Sequence, residues 1–228
     1  MDGKRILHTK VMHQRQHGII HPKMAEMEVT IAGVGMIGGW TAHALSRAVY
    51  GLIFFDPDEV EDVNVGCQPY TTSDVGRSKV EALYQSLPNP YLRLSGQSTP
   101  FPYPGSHPTT ALVSAVDSMS GRKANAEWAR DHNVPLYLDG RIQGELAVLA
   151  TVTTKEGYAE YLAALPTDDE VDDVPCGQSG TAYVGMFLAS QIASTINQWC
   201  KGIPIPALRV WHVPTVQALP QVESKEVQ

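Results

Sequence analysis

Cysteine is scarce in this chain. Three stand among 228 residues, Cys67, Cys176 and Cys200, and no two share a C-x-x-C spacing. Three thiols cannot build a disulfide framework, and the absent pairs exclude a structural zinc ribbon. Long apolar runs are missing as well. Each is cut by charge, Gly or Pro short of the roughly 18–20 residues that a spanning helix needs, and the polar start MDGKRILHTK offers no apolar core for a secretory signal. The expected place is the cytoplasm, with no membrane partner. Positive charge is the minority sign, with 17 Lys and Arg against 24 Asp and Glu and a net charge of -7. Phosphate-backbone binding relies on clustered Lys and Arg, and no such stripe is seen, so nucleic acid is not expected as a partner. No internal repeat is found.

What the chain does have is 43% hydrophobic residues, enough for a sizeable core, and an alternation of β-forming and helical stretches. Strands are expected at 28–33, 51–56, 92–96, 111–117, 135–140, 145–153 and 208–213, and helices at 36–48, 77–87, 119–132 and 181–199. Apolar central strands between helices indicate an α/β Rossmann-like sheet, parallel in its first part with antiparallel later strands, and helices on both faces. The Pro-rich 98–108 reads as a surface loop, and 166–180 as a second long loop whose acidic run, 168–173, reads as solvated.

The stretch VTIAGVGMIGGW reads as strand, glycine turn and helix. Gly33 suits the tight turn, Gly35 lets backbone approach a phosphate, and Gly38 permits close helix–strand packing. Asp56 closes the next strand 18 residues beyond Gly38, where a carboxylate can accept ribose hydroxyls. The glycines alone could serve packing only. With strand, helix and acid in register they indicate a nucleotide site, and on these residues a nicotinamide-dependent oxidoreductase and an ATP-using adenylating enzyme remain open.

The next residues separate the two. DPDEVEDVNVGCQPY followed by GRSKVEAL resembles the signature of the ubiquitin-activating-enzyme-like family of ThiF, MoeB and HesA, D-x-D-x-V-x-x-x-N-x-x-R-Q and then a Lys that opens a helix. Asp56, Asp58, Val60, Asn64, Gln68 and Lys79 match it, as do Asp117 and Arg122 in VSAVDSMSGRKA, and HQRQHGII (13–20) is similar to the R-Q-I segment before the fold. The resemblance covers roughly residues 12 to 200. It implies that Lys79 contacts the α-phosphate of ATP, that Asp117 holds Mg²⁺, that Asn64 and Gln68 orient the phosphates, and that Asp56 and Asp58 take the ribose side. Arg15 would correspond to the family arginine that reaches the β and γ phosphates of a neighbouring subunit, which implies a homodimer. By the same reading, residues 1–24 form an N-terminal arm and 25–228 an adenylation domain with a crossover loop at 154–180.

Two departures from the pattern stand out. Cys67 occupies the place of the family Arg and cannot supply a permanent charge or a forked donor. Arg122 or Arg141 would be the substitutes; otherwise the chain is a non-catalytic partner of an active subunit. The zinc-binding C-x-x-C pairs of many relatives are also absent, with YAEYLAALP where the first would stand. Cys176, just before a helix, resembles the crossover-loop cysteine that forms a covalent adduct in some members. A helix N-terminus favours its thiolate, whereas the acidic neighbours oppose it. Cys200 is expected in the core. His13, His17 and His21 are spaced by four, as a metal-binding helix face would be, although Gly18 and Pro22 weaken a helix there and no acid or Cys completes a site.

The expected activity is therefore ATP-dependent adenylation of a carboxylate. By analogy with the family, that carboxylate is the C-terminus of a small ubiquitin-like protein or a peptide.

Overall fold

The structure is a computed structural model that describes residues 14–16, 18–88, 92–170, 180–215 and 217–218. Among the described residues, eight strands form one sheet: β1 (Glu28–Ala32), β2 (Gly51–Phe55), β3 (Arg93–Gln97), β4 (Ala111–Ser114), β5 (Tyr137–Gln143), β6 (Leu146–Val152), β7 (Leu208–His212) and β8 (Gln217–Ala218), in the order β3-β2-β1-β4-β5-β6-β7-β8. Pairing is parallel from β3 to β5 and antiparallel from β5 to β8. The expected mixed sheet is present.

The α-helices among the described residues are α1 (Met36–Leu45), α2 (Lys79–Ser86), α3 (Met119–Asp131), α4 (Lys155–Ala163) and α5 (Ala182–Cys200), and they cover it. The central strands β2 and β4 are buried at every residue, as apolar strands with both faces covered must be. Val29, Ile31, Leu52 and Phe54 meet α1, α2 and α5 on one face, while Ala32, Ile53, Phe55 and Tyr137 meet α3 and α4 on the other. Alternation along a strand, at period two, divides the two cores.

Some elements depart from expectation: β4 ends at Ser114, short of 117, and β8 was not foreseen. Strand β5 runs three residues past 140, because a two-residue turn at Gly144 and Glu145, with Gly144 at φ +60°, folds it back onto β6. Helix α4 lies where a loop was expected; Thr154 accepts from Gly157 N–H at 3.0 Å to start it, and Tyr158 anchors it by donating to the Val134 carbonyl at 2.9 Å. The Pro-rich loop is irregular as expected, yet Phe101 pins it, buried against Phe55 and the edge of Trp128.

The arm preceding β1 docks at the far end of α5. Asn197 accepts from His21 N–H (2.9 Å) and donates to the Ile19 carbonyl (3.0 Å), and the Lys23 ammonium lies 4.1 Å from the Trp199 ring centroid. Cys200 is buried with its sulfur 3.3 Å from that of Met27, the expected core position. Among the described residues, no helix is long and apolar enough to cross a membrane.

Candidate active site

In the parallel half the chain runs from β1 outward to β2 and β3, then crosses back to β4 on the other side of β1, so the strand order reverses at that strand. The crevice beyond its carboxyl end is the position at which an open α/β sheet binds a ligand. The glycine turn lies there. Gly33 has φ +84°, and a Cβ on it would stand 2.6 Å from the Ala115 carbonyl oxygen beyond β4; a Cβ on Gly38 would stand 1.9 Å from the Gly33 oxygen. Those two glycines are demanded by packing. Gly35 differs, since its nearest neighbours would be the Gln68 amide atoms at 3.8 Å. Its open face is the one a phosphate can approach.

Residues after β2 lock this turn. Asp56 is buried and accepts from Val34 N–H at 2.7 Å and from Asp58 N–H at 2.9 Å. Burial pushes its carboxyl above the ordinary range, against the pull of those two N–H groups and of Lys79. The Tyr70 hydroxyl donates to the Val34 carbonyl at 2.7 Å, and burial drives its pKa far up, so it remains a donor. Both polar groups of the Val34 peptide are thereby held. Asp56, expected to face ribose, braces the loop through one N–H on each carboxylate oxygen, and its neighbour Asp58 is the more exposed acid. Tyr70 was missed, because nothing in its local sequence shows that its hydroxyl returns to a turn 36 residues earlier.

The chain from Asp58 to Lys79 leaves and re-enters at one point. Lys79 N–H donates to the Asp58 carbonyl at 3.0 Å, Glu59 bridges Ser78, and Lys79 Nζ lies 2.7 Å from Asp58 Oδ2. Closure of this loop brings two motif residues 21 apart into contact. Within it, Asn64 accepts from Glu61 N–H at 3.0 Å through Oδ1, and its carbonyl accepts from Gln68 N–H, so it shapes the loop. Gln68 stands over Gly35, and its Oε1 is buried without a partner. A ligand hydroxyl or amine would satisfy that oxygen. Cys67 is half-buried, its sulfur 3.8 Å from the Asn64 carbonyl; burial pushes its thiol up against the influence of Lys79, so a thiol stands where a cation was expected.

Asp117 follows β4 and is exposed, immediately before Ser118, whose Oγ accepts from Gly121 N–H at the start of α3. Among the described residues, no group of three His, Cys, Asp or Glu could hold a metal. Magnesium asks for less, one or two carboxylates with the phosphates themselves completing its oxygen shell, and Asp117 fits that donor set. Asp168 was read as part of a solvated run. Instead it caps α3, accepting from Met119 N–H at 2.5 Å and Ser120 N–H at 3.2 Å, and the Ser120 bonds pull its pKa down. A carboxylate is favoured there by the unpaired N–H groups of the first turn.

The expected substitutes for the missing cation do not take that role. Arg122 is buried and bonded to Asp139 and to the Gly140 carbonyl. Arg141 lies on β5, three strands from β2, and is likewise held by Asp139. Cys176, His13 and His17 lie outside the described residues, while the His21 ring accepts from Lys23 N–H at 3.2 Å. Arg15 is exposed in a short helix, Gln14–Gln16, whose last carbonyl accepts from Ile19 and Ile20 N–H. That places it by Asn197, 15 residues along α5 from Ala182, or about 22 Å at 1.5 Å per residue. The start of α5 is the end beside the site, since Gly185 abuts Met36 of α1. The segment that carries Arg15 is thus anchored toward the opposite end of α5 from its own chain's glycine turn.

A cavity of about 90 Å³ lies elsewhere, beneath the 101–107 loop, lined by residues that include Thr30, Phe55, Gln97, Phe101 and His107. None of the motif residues lines it, so it is not the centre of this site.

Comparison with known proteins agrees with the geometry. Residues 13–223 match the ThiF family. Ubiquitin-like modifier-activating enzyme 5 of Drosophila willistoni is 27% identical over 154 residues, 58% of this chain and 38% of that protein, and the Aedes aegypti protein of the same name is 35% identical over 83 residues, 35% of this chain and 21% of that one. The chain therefore spans well under half of these relatives. Among solved structures, PaaA superposes with TM-score 0.69 at 16% identity, covering 96% of this chain and 73% of that one. E. coli MccB with ATP gives TM-score 0.68 at 15% identity, covering 97% and 71%. At these identities the likeness is one of fold.

Proposed function

The chain belongs to the ThiF family, and from that premise we propose that it adenylates a carboxylate with ATP. The observation that carries the reading is the clamped turn at Gly33–Gly35, open at Gly35, with Lys79 at the start of α2 and Asp117 on the loop after β4. In the step, a carboxylate oxygen attacks the α-phosphorus. An O–P bond forms, the bond from that phosphorus to the oxygen bridging to the β-phosphorus breaks, and pyrophosphate leaves with the electron pair. Charge grows on phosphate oxygens, and fixed donors and cations lower that barrier.

Lys79 would supply the cation. Its partner Asp58 has a side chain 61% exposed, while that of Lys79 is 9% exposed, so solvent reaches the carboxylate and screens the pair from that side only. Lys79 would exchange one anion for another, carboxylate for phosphate, leaving Asp58 for the ribose side with Asn64 and Gln68 beside it. Mg²⁺ held by Asp117 would shield the negative charge of the triphosphate. The position of Arg15, at the far end of α5, supports action on a second copy of the chain, hence a homodimer. Cys176 would have at most a later, thiol-linked role.

The substrate we propose is the C-terminus of a small ubiquitin-like protein or a peptide, and the relatives named ubiquitin-like modifier-activating enzyme 5 support that class. Nicotinamide chemistry would leave Asn64, Lys79 and Asp117 unused and draws nothing from the family match. One observation favours a second reading, a non-catalytic nucleotide-binding partner subunit: Cys67 leaves one cation of the family pattern unfilled. Pyrophosphate–ATP exchange with purified protein and a candidate ubiquitin-like partner separates the readings. Lys79→Ala and Asp117→Ala are each expected to reduce exchange by about 10²-fold or more with folding unchanged, and Cys176→Ser to leave it intact. Full exchange in either of the first two would refute the assignment; ATP binding without exchange in the wild type would favour the partner subunit.

A further inference from the structure

Strand β5 carries a buried ionic cluster that the nucleotide does not use. Asp139 has no exposed surface, and its Oδ1 accepts from Arg122 Nη1 while its Oδ2 accepts from Arg141 Nε at 2.6 Å and the Tyr161 hydroxyl at 2.9 Å. Arg122 also donates to the Gly140 carbonyl at 2.9 Å, and its Nε is buried without an acceptor. Two guanidiniums share one carboxylate. Tyr161 is neutral, since burial first and the nearby Asp139 second push its phenol up to about 12. Among the described residues the cluster is thus short of one negative charge, and a half-buried cation lacking its anion is costly.

Arg141 is the member open to a ligand. Its side chain is 26% exposed, against 5% for Arg122. Its Nε is committed to Asp139, whereas among the described residues the Nη1–Nη2 edge makes only a long 3.4 Å contact, from Nη2 to Tyr161. Position adds to this. The parallel β4–β5 ladder ends at Ser114 and Asp139, so Arg141, two residues past that end on β5, and Asp117, three residues past it on the chain leaving β4, both lie beyond the carboxyl end of β4. Counting from the glycine turn, the order is β1, β4, β5, so this cation lies beyond the Asp117 loop.

We propose that Arg141, oriented by Asp139 and Tyr161, receives the carboxylate of the acyl substrate. The inference rests on the adenylation reading and assigns the other half of that site. A carboxylate approaching a triphosphate meets like charge, and the side chains near the turn are already assigned to the nucleotide. A fixed guanidinium outside that cradle offsets the repulsion, and its planar fork matches a carboxylate through two parallel N–H bonds. Each carboxylate oxygen keeps a second lone pair for attack on phosphorus.

The test uses the full chain with ¹⁵N-labelled arginine. The Arg141 Nε–H resonance, assigned through its backbone in the wild type, is followed while N-acetyl-glycylglycine is added, with the C-terminal amide of the same peptide as control. A saturable shift with the carboxylate and none with the amide is expected, and in Arg141→Lys the apparent Kd of the peptide, read by saturation transfer, should rise about tenfold or more. Equal responses to both peptides, or no response, would overturn the proposal. So would inorganic phosphate saturating the resonance and excluding the peptide, which would make this a phosphate subsite. The wild-type titration decides even if the variant fails to fold. ATP binding, measured separately by melting with Lys79→Ala as control, tests the adenylation reading alone; its absence would remove that reading and leave the carboxylate result standing.

Discussion

Gly35→Ala and Gly38→Ala should behave as opposites, and the difference tests whether the glycine turn is a phosphate cradle or only a packing device. A methyl on Gly38 would lie 1.9 Å from the Gly33 oxygen, far inside contact distance, so backbone must move. Overpacking of this kind costs about 1–3 kcal/mol or more, or roughly 2–12 °C in Tm at 2–4 °C per kcal/mol for a chain of this size. A methyl on Gly35 meets nothing closer than 3.8 Å. Its loss of a favourable N-cap and its gain in unfolded-state rigidity are each about 1 kcal/mol or less and opposite in sign, so the unliganded Tm should barely move. Bound ATP is where Gly35→Ala should show. ATP at about a hundredfold over its Kd stabilises the wild type by about 2.7 kcal/mol, equivalent to a rise of roughly 5–11 °C. Loss of one charge-assisted bond to a phosphate costs about 1.5–3 kcal/mol, so the rise in Gly35→Ala should fall to half or less. Differential scanning fluorimetry with and without Mg-ATP reads both quantities. A Gly35→Ala protein stabilised by ATP as strongly as the wild type would refute the cradle.

Two further outcomes follow from the buried carboxylates. Asp139→Asn leaves two guanidiniums without their anion, and breaking such a buried pair costs about 3–5 kcal/mol, so Tm should drop by roughly 6–20 °C; a loss under about 2 °C would show that the cluster is not charged as drawn. Asp56 gives a pH signature. Its carboxyl is raised in the folded chain, so the folded state binds this proton more tightly than the unfolded one, and the stabilisation is fully present below the unfolded carboxylate value and lost as pH rises through the raised value. Denaturant melts of Asp56→Asn should lack that decline across the same acid window, and an unchanged slope would contradict the assignment.

Much of the site was legible in the sequence because its parts are local. Turn, helix start and strand-ending acid lie within one βαβ unit, where backbone geometry and residue type determine each other; Gly33 and Gly38 fall where a turn and a close helix require them. The side chains' working partners were not legible. Asp56 was assigned to a ligand, yet two backbone N–H groups claim it, and Arg122 was a candidate for phosphate, yet Asp139 claims it. Asp168 read as solvated because a run of acids usually is; its contact is with a helix 48 residues earlier.

The amino-acid sequence by itself determined the alternation of elements, the glycine turn and the spacing of Asp58, Asn64, Gln68 and Lys79, because period, turn chemistry and propensity act over a few residues. Tertiary structure alone decided which charges meet. Whether a carboxylate faces a ligand, a helix end or a buried guanidinium depends on strand order and on loops closing at a distance, and the low dielectric between packed elements then turns those meetings into the large energies. That is why the net positive cluster of Arg122, Asp139 and Arg141 came into view only when β5 was seen beside β4 and under α3 and α4.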